Sequence, residues 1–387
     1  MNLRNIIWAT SIAALLTGCG GTNSATNGSY GGYDSMGGRS NYSTTNPNSP
    51  APVPNVAAWP SENGAPVLVR GVNLPVFDGQ TGHDLGKNTL KPNEAVWYKQ
   101  DAVDARFQEL SDIGFNVVRI FLFEDGEGLK VKDGTVTGLD ETFTKNLEDM
   151  VERARAHKLR VFLAFSDSWP AALKSPFADK KAADNYVKSA IAPLARKLKG
   201  NDAVFAFDVA NNVENLPTPE SKDGKAKAAT WDEVRAFIKS TVEVIKKQDP
   251  ERLMTVGGAS LEALQKGQYA GLGLDFYDMK LLSDKAEMPI AKEIKLDRPI
   301  IIGSFGQATK EANDEMFTAA TKALVLNAPQ RGYAGFLFAN YNSKDANSLL
   351  NAEGKARPAL EAIKNVMKEA AAPPPPTVPP TTGGTRL

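Results

Sequence analysis

The sequence predicts an α/β fold: a single (β/α)8 TIM barrel between a disordered N-terminal tether and a Pro-rich C-terminal tail. Three observations predict it. Apolar runs alternate with amphipathic helical stretches eight times in roughly 300 residues, the size of one such barrel. The runs lack period-2 alternation, as in parallel strands covered on both faces. No Gly-rich turn follows the first run, as a nucleotide site in a doubly wound open sheet would require.

The first strand is Val67 to Leu74, followed by a long loop with His83, read as exposed, and Asp84 beside it, then a helix over about Asn93 to Ile113. Asn116 to Phe123 is the second strand, ending at Glu124 and Asp125, with a helix from about Glu141 to His157. Arg160 to Phe165 is the third, running into Trp169, with a helix from about Asp179 to Leu198. Ala203 to Ala210 is the fourth, an apolar run that turns polar at Asn211, Asn212 and Glu214, with a helix from about Trp231 to Lys247. Arg252 to Gly257, Leu274 to Leu281, Pro299 to Gly303 and Tyr333 to Ala339 complete the eight, with helices over about Glu311 to Leu326 and Pro358 to Ala370. Polar strand tips at the carboxyl end are where such barrels place their chemistry.

With 45 basic and 45 acidic side chains among 387 residues, nothing favours a nucleic-acid partner. Residues 1–18 have the pattern of a signal peptide: Arg4, an apolar Ile6 to Leu16 too short to span a bilayer, then Leu16-Thr17-Gly18-Cys19. Cys19 is the sole cysteine, so no internal disulfide can form. Residues 19–58 read as a flexible linker reaching roughly 35 Å, residues 59–371 as the barrel, and residues 372–387 as a Pro/Thr-rich tail. No spacing of His or Cys suits a metal, and no motif implies a cofactor. Of the two histidines, His157 precedes the third strand and belongs at the stabilising face.

Leu16-Thr17-Gly18-Cys19 resembles the lipobox of bacterial lipoproteins. The resemblance implies a lipidated Cys19 and an envelope location, the outer membrane in a Gram-negative cell because Gly20 follows. Arg70-Gly71-Val72-Asn73-Leu74, Gly114-Phe115-Asn116-Val117-Val118-Arg119, Asp208-Val209-Ala210-Asn211 and Ile301-Ile302-Gly303-Ser304-Phe305-Gly306 resemble glycoside hydrolase clan A, nearest to family 5 cellulases and mannanases. That resemblance implies that Arg119 braces the catalytic site, that Asn211 contacts a sugar hydroxyl, and that Trp169 stands where mannanase-like members end the third strand with tryptophan.

The departures fall on the chemistry. A retaining glycosidase uses two carboxyl groups about 5–5.5 Å apart. The matching positions hold Asn212, whose amide gives no proton, and Ser304, a weak nucleophile without a base. The family's sixth-strand histidine falls on Lys280 and its eighth-strand tryptophan on Ala339. Asn212 and Ser304 are expected to face each other over Arg119. Trp97, Tyr98, Trp169, Trp231, Phe305 and Tyr341 are candidates for a sugar-stacking platform. The expectation is an envelope lipoprotein with an inactive barrel that binds polysaccharide or scaffolds glycan-handling proteins; Arg119, Asn211, Trp169, Lys280 and Tyr341 are the candidate ligand contacts. The alternative is an active hydrolase of β-linked polysaccharide with relocated carboxylates, Glu214 and Glu124.

Overall fold

The computed structural model describes residues 59–62, 65–77, 83–165, 169–215, 229–282, 288–306, 313–343 and 347–371. Residues 1–58, including Cys19 and read above as signal segment and linker, and residues 372–387, read as a tail, lie outside them. Along the described residues strands and helices alternate: β1 (Val69–Leu74), α1 (Gln100–Ile113), β2 (Val117–Phe121), α2 (Glu141–Ala156), β3 (Arg160–Ala164) and α3 (Lys180–Tyr186). A π turn over Val187–Ile191 carries α3 on into Ala192–Lys197. Then come β4 (Val204–Asp208), α4 (Trp231–Gln248), β5 (Leu253–Thr255), α5 (Leu261–Gln265), β6 (Tyr277–Leu282) and α6 (Ala291–Ile294). β7 (Ile300–Gly306), α7 (Asp314–Gln330), β8 (Gly335–Phe338) and α8 (Pro358–Ala371) end the series.

The eight strands form one parallel sheet in the order β6-β7-β8-β1-β2-β3-β4-β5. The two edges meet through Ala259, whose N–H donates to Asp278 O (3.0 Å) and whose carbonyl accepts from Lys280 N (2.8 Å). The barrel is thereby closed, and the predicted fold class is the observed one.

Helix starts follow side-chain chemistry. Asp140 accepts from Phe143 N at 2.9 Å and Asp179 from Ala182 N at 3.0 Å. Thr230 and Glu233 cap α4 reciprocally, each side chain taking the other's backbone N–H. Two local expectations need correction. α1 begins at Gln100, not near Asn93, because Trp97 N bonds back to His83 O (2.9 Å) and its ring stacks on Phe77. Between β2 and α2 an unanticipated hairpin pairs Leu129–Lys132 with Thr135–Leu139. Its two-residue turn is Asp133-Gly134, both at positive φ (51° and 70°), the Asp-Gly signal of a type I′ turn.

The core has two layers. Outside, the sheet packs against the helices through residues such as Phe107, Leu147 and Ile238. Inside, the lumen is filled by Val69, Val117, Phe162, Ala206, Leu253, Phe276, Ile301 and Leu337. Trp59 belongs to this inner cluster: it is 7% exposed, sets its ring edge-on to Phe205 and Phe276 at 5.5 and 5.7 Å, and donates Nε1–H to Val67 O. The amino end of the barrel is thus stoppered by an aromatic ring. Replacing Trp59 with Ala should cost about 3–5 kcal/mol, as large aromatic truncations do. Urea unfolding followed by circular dichroism should show it as a lowered midpoint with an unchanged slope.

Candidate functional site

Above the apolar lumen lies a layer of buried charge. Arg119 on β2 is fully buried and ion-pairs with Asp278 on β6; its Nη2 lies 3.9 Å from Asp208 Oδ2 on β4. Its Nη1 donates to Gly303 O at 3.1 Å, and the guanidinium sits 4.1 Å from the centre of the Phe162 ring. Asp208 also accepts from Gly257 N at 2.8 Å. Both aspartates have no exposed surface. The network leaves no room for a side chain at Gly303, where a Cβ would fall 1.3 Å from Asp278 Oδ1. A desolvated guanidinium needs such partners, because an uncompensated buried charge is heavily destabilising.

The next layer up is neutral except for one ammonium. Asn73 Nδ2 donates to Ser304 Oγ and to Ala339 O, each at 3.1 Å. Lys280 Nζ donates to Asn212 Oδ1 at 3.1 Å, and Lys280 is the cross-strand neighbour of Ser304 in the β6–β7 ladder. Asn212, Lys280 and Ser304 are therefore brought together at the carboxyl end of the barrel. The Asn212 backbone is left-handed (φ 52°), a conformation that asparagine tolerates better than glutamate.

Glu214 follows on a short 3-10 turn, where Oε1 accepts from Ser260 N and from Tyr269 Oη, both at 2.8 Å. Burial, with the Glu214 charge beside it, pushes the Tyr269 hydroxyl well above its usual range, so it remains a donor. Glu214, Asn212, Ser260 and Lys280 line a cavity of about 280 Å³. Glu124 is not among the residues of that cavity and lies in the 3-10 turn after β2.

Several candidates need correction. Arg119 is 0% exposed, so it holds the charge layer and cannot touch a ligand. Asn211 is also buried, beside Asp208 and facing Gly257. Tyr341 and Phe305 are fully buried; the Arg106 guanidinium from α1 lies 5.1 Å from the centre of the Tyr341 ring. Neither ring can stack on a sugar. Trp97 is committed to Phe77 and the Tyr98 hydroxyl to Asp149 at 2.6 Å. His83 is buried rather than exposed, with Asp84 buried beside it: His83 Nδ1 is 3.6 Å from Glu94 Oε2, and Asp84 Oδ1 takes Phe77 N–H at 3.3 Å. His157 sits at the end of α2 and bonds Asp104 at 3.1 Å.

Trp169 is half-buried, edge-on to Tyr186 (4.9 Å) and Phe177 (6.3 Å). It lines a larger cavity of about 780 Å³ with Pro170, Lys174, Asp133 and Asp179, separate from that of Lys280. Trp231 starts α4 and meets Tyr269 edge-on at 5.7 Å. Sequence reasoning missed Glu127. It is 3% exposed and accepts from Leu85 N (2.5 Å) and Gly86 N (2.8 Å), fastening the loop after β1 to the segment after β2. Nothing local marks it, since its partners lie 41 and 42 residues away.

Comparisons with known proteins agree with the barrel fold. The family profile "Cellulase (glycosyl hydrolase family 5)" matches residues 61–275. A mannan endo-1,4-β-mannosidase of Mytilus edulis is 22% identical over 227 residues, 52% of this chain and 59% of that protein. A probable mannan endo-1,4-β-mannosidase A of Aspergillus clavatus is 24% identical over 213 residues, 50% of this chain and 52% of its own length. The chain thus matches little more than half the length of these curated relatives. Among solved structures, the β-mannanase of Mytilus edulis superposes with a TM-score of 0.61 at 18% identity, covering 80% of this chain and 94% of that one. The β-1,4-D-mannanase of Cryptopygus antarcticus gives 0.62 at 19%, covering 79% and 91%. These likenesses establish the fold.

Glu127 gives the domain a testable pH response. Burial outweighs its two backbone donors and raises the carboxyl to about 7, from an unfolded value of 4.5. With the folded value raised, the unfolded chain ionises first. Its stabilising contribution is full below about pH 4.5 and is lost as pH rises to about 7, by up to about 3 kcal/mol. Urea midpoints measured across that window should fall with pH, and Glu127→Gln should flatten the slope.

Proposed function

The chain belongs to the cellulase family, glycosyl hydrolase family 5, and from that premise we propose a catalytically inactive member that binds a β-linked polysaccharide while anchored to the cell envelope through a lipidated Cys19. One observation carries the reading. The two positions where the family resemblance expects glutamates hold Asn212 and Ser304, each satisfied by a neighbour, Lys280 and Asn73. An amide has no proton to give, and a hydroxyl paired with an amide has no base to activate it. The nearest buried carboxylates, Asp208 and Asp278, are shut off from any substrate. Binding is supported by mannan-acting relatives and by two cavities at this end, one walled by Trp169 and one by Lys280.

The second reading, hydrolysis through relocated carboxylates, draws support from Glu214, which lines the cavity of Asn212 and Lys280. Its Oε1 already accepts from Ser260 N and Tyr269 Oη, however, which holds the carboxylate toward α5. A reducing-end assay on mannan and on β-glucan discriminates the two. The purified protein should release no sugar above background, since losing one member of such a pair already costs orders of magnitude. Asn212→Glu with Ser304→Glu should restore a trace, first on aryl glycosides, with each single change doing much less. Wild-type turnover abolished by Glu214→Gln would establish the second reading instead.

The anchor is tested separately. Cell fractionation should move Cys19→Ala out of the membrane fraction; retention there would remove Cys19 as the attachment point.

A further inference from the structure

We propose that the polysaccharide taken at the Lys280 cavity is an acidic one, a β-linked uronan whose carboxylate pairs with the Lys280 ammonium. This rests on the polysaccharide-binding reading and adds the chemical class of the ligand. Two glutamates at the family positions would repel an anionic sugar. Here those positions carry a neutral amide and a neutral hydroxyl, and the group added beside them is a cation.

Lys280 is half-buried, on the rim where β6 meets β7. Its ammonium has three protons, and one goes to Asn212 Oδ1. Among the described residues no carboxylate lies within ion-pair distance of it. Glu214 shares the cavity, but Ser260 N and Tyr269 Oη draw its Oε1 toward the start of α5. Beneath stands the closed layer of Asp208, Asp278 and Arg119, its side chains committed to one another. A structural lysine needs a carboxylate or a full set of acceptors to repay its desolvation. This one has a single amide oxygen and an open cavity, so a ligand anion completes it. A carboxylate there gains a charge-assisted bond that a hydroxymethyl group cannot match.

The mannan-acting relatives supply a matched pair of probes, since β-1,4-mannan and β-1,4-mannuronan differ at the C6 carboxylate. The experiment measures binding of both, and of methyl-esterified mannuronan, to the full-length chain by titration calorimetry at low and high salt. Mannuronan should bind about 10-fold or more tightly than the mannan and the ester, and the advantage should shrink in salt. Lys280→Gln keeps an amide donor for Asn212 and should lose about 10-fold on mannuronan alone, while Lys280→Arg should retain the preference. Equal binding of mannan and mannuronan, or an unchanged mannuronan affinity in a folded Lys280→Gln protein, overturns the acidic ligand and leaves polysaccharide binding intact. Binding to none of the three polymers, nor to β-glucan, overturns both. Should Lys280→Gln fail to fold, the ester and salt comparisons on the wild-type chain decide alone.

Discussion

A guanidinium without access to water sits in the middle of this barrel, and the surrounding strands are arranged to satisfy it. Arg119 arrives on β2, its aspartate partners on β4 and β6, its carbonyl acceptor on β7, and the ring beneath it on β3. Five of eight strands thus meet at one charge. Removing a partner from such a group typically costs about 3–5 kcal/mol, enough to fix the relative register of those strands. Gly303 is the clearest consequence, because the Asp278 carboxylate occupies the space a side chain there would need.

The same arrangement separates the apolar amino end of the barrel from its polar carboxyl end. Below the charge layer the lumen is apolar and stoppered by Trp59. Above it, Asn73, Ser304, Asn212 and Lys280 form a polar tier linked by hydrogen bonds. The family resemblance implies an arginine bracing a catalytic carboxylate on the seventh strand. Here β7 offers Arg119 a backbone carbonyl, and the carboxylate comes from β6. In the proposed account the arginine has kept its place while its charge partner has moved down into a closed layer, so the scaffold persists without the chemistry.

Much of the fold was legible because buried parallel strands leave uninterrupted apolar runs, and all eight were found within a few residues of their observed ends. The Asp133-Gly134 hairpin was not read, although its turn dipeptide marks it, because it sits inside a connection read as leading straight to a helix. The start of α1 was not legible, since it depends on Trp97 meeting Phe77 and His83 across a loop. Site residues divided along the same line. Lys280 and Ser304 could be placed from strand register, since adjacent strands carry them to one level, and Asn212 from its position just past the tip of β4. Tyr341, Phe305 and His83 could not, because whether a tip side chain faces water or a helix is decided by partners such as Arg106 and Glu94. Glu127 was invisible for a related reason: its two donors come from a loop about forty residues earlier.

The central claim is that no carboxylate at the mouth is placed to attack a sugar. Incubation with a 2-deoxy-2-fluoro-mannosyl fluoride, followed by intact-mass spectrometry, tests it directly, because such reagents accumulate as glycosyl esters on any competent nucleophile. The account predicts an unchanged mass after prolonged incubation, and the appearance of a fluoro-mannosyl adduct in the Asn212→Glu, Ser304→Glu protein at Glu-substituted position 304. A stoichiometric adduct on the wild-type chain, mapped to Glu214, Glu124 or any other carboxylate, would contradict it.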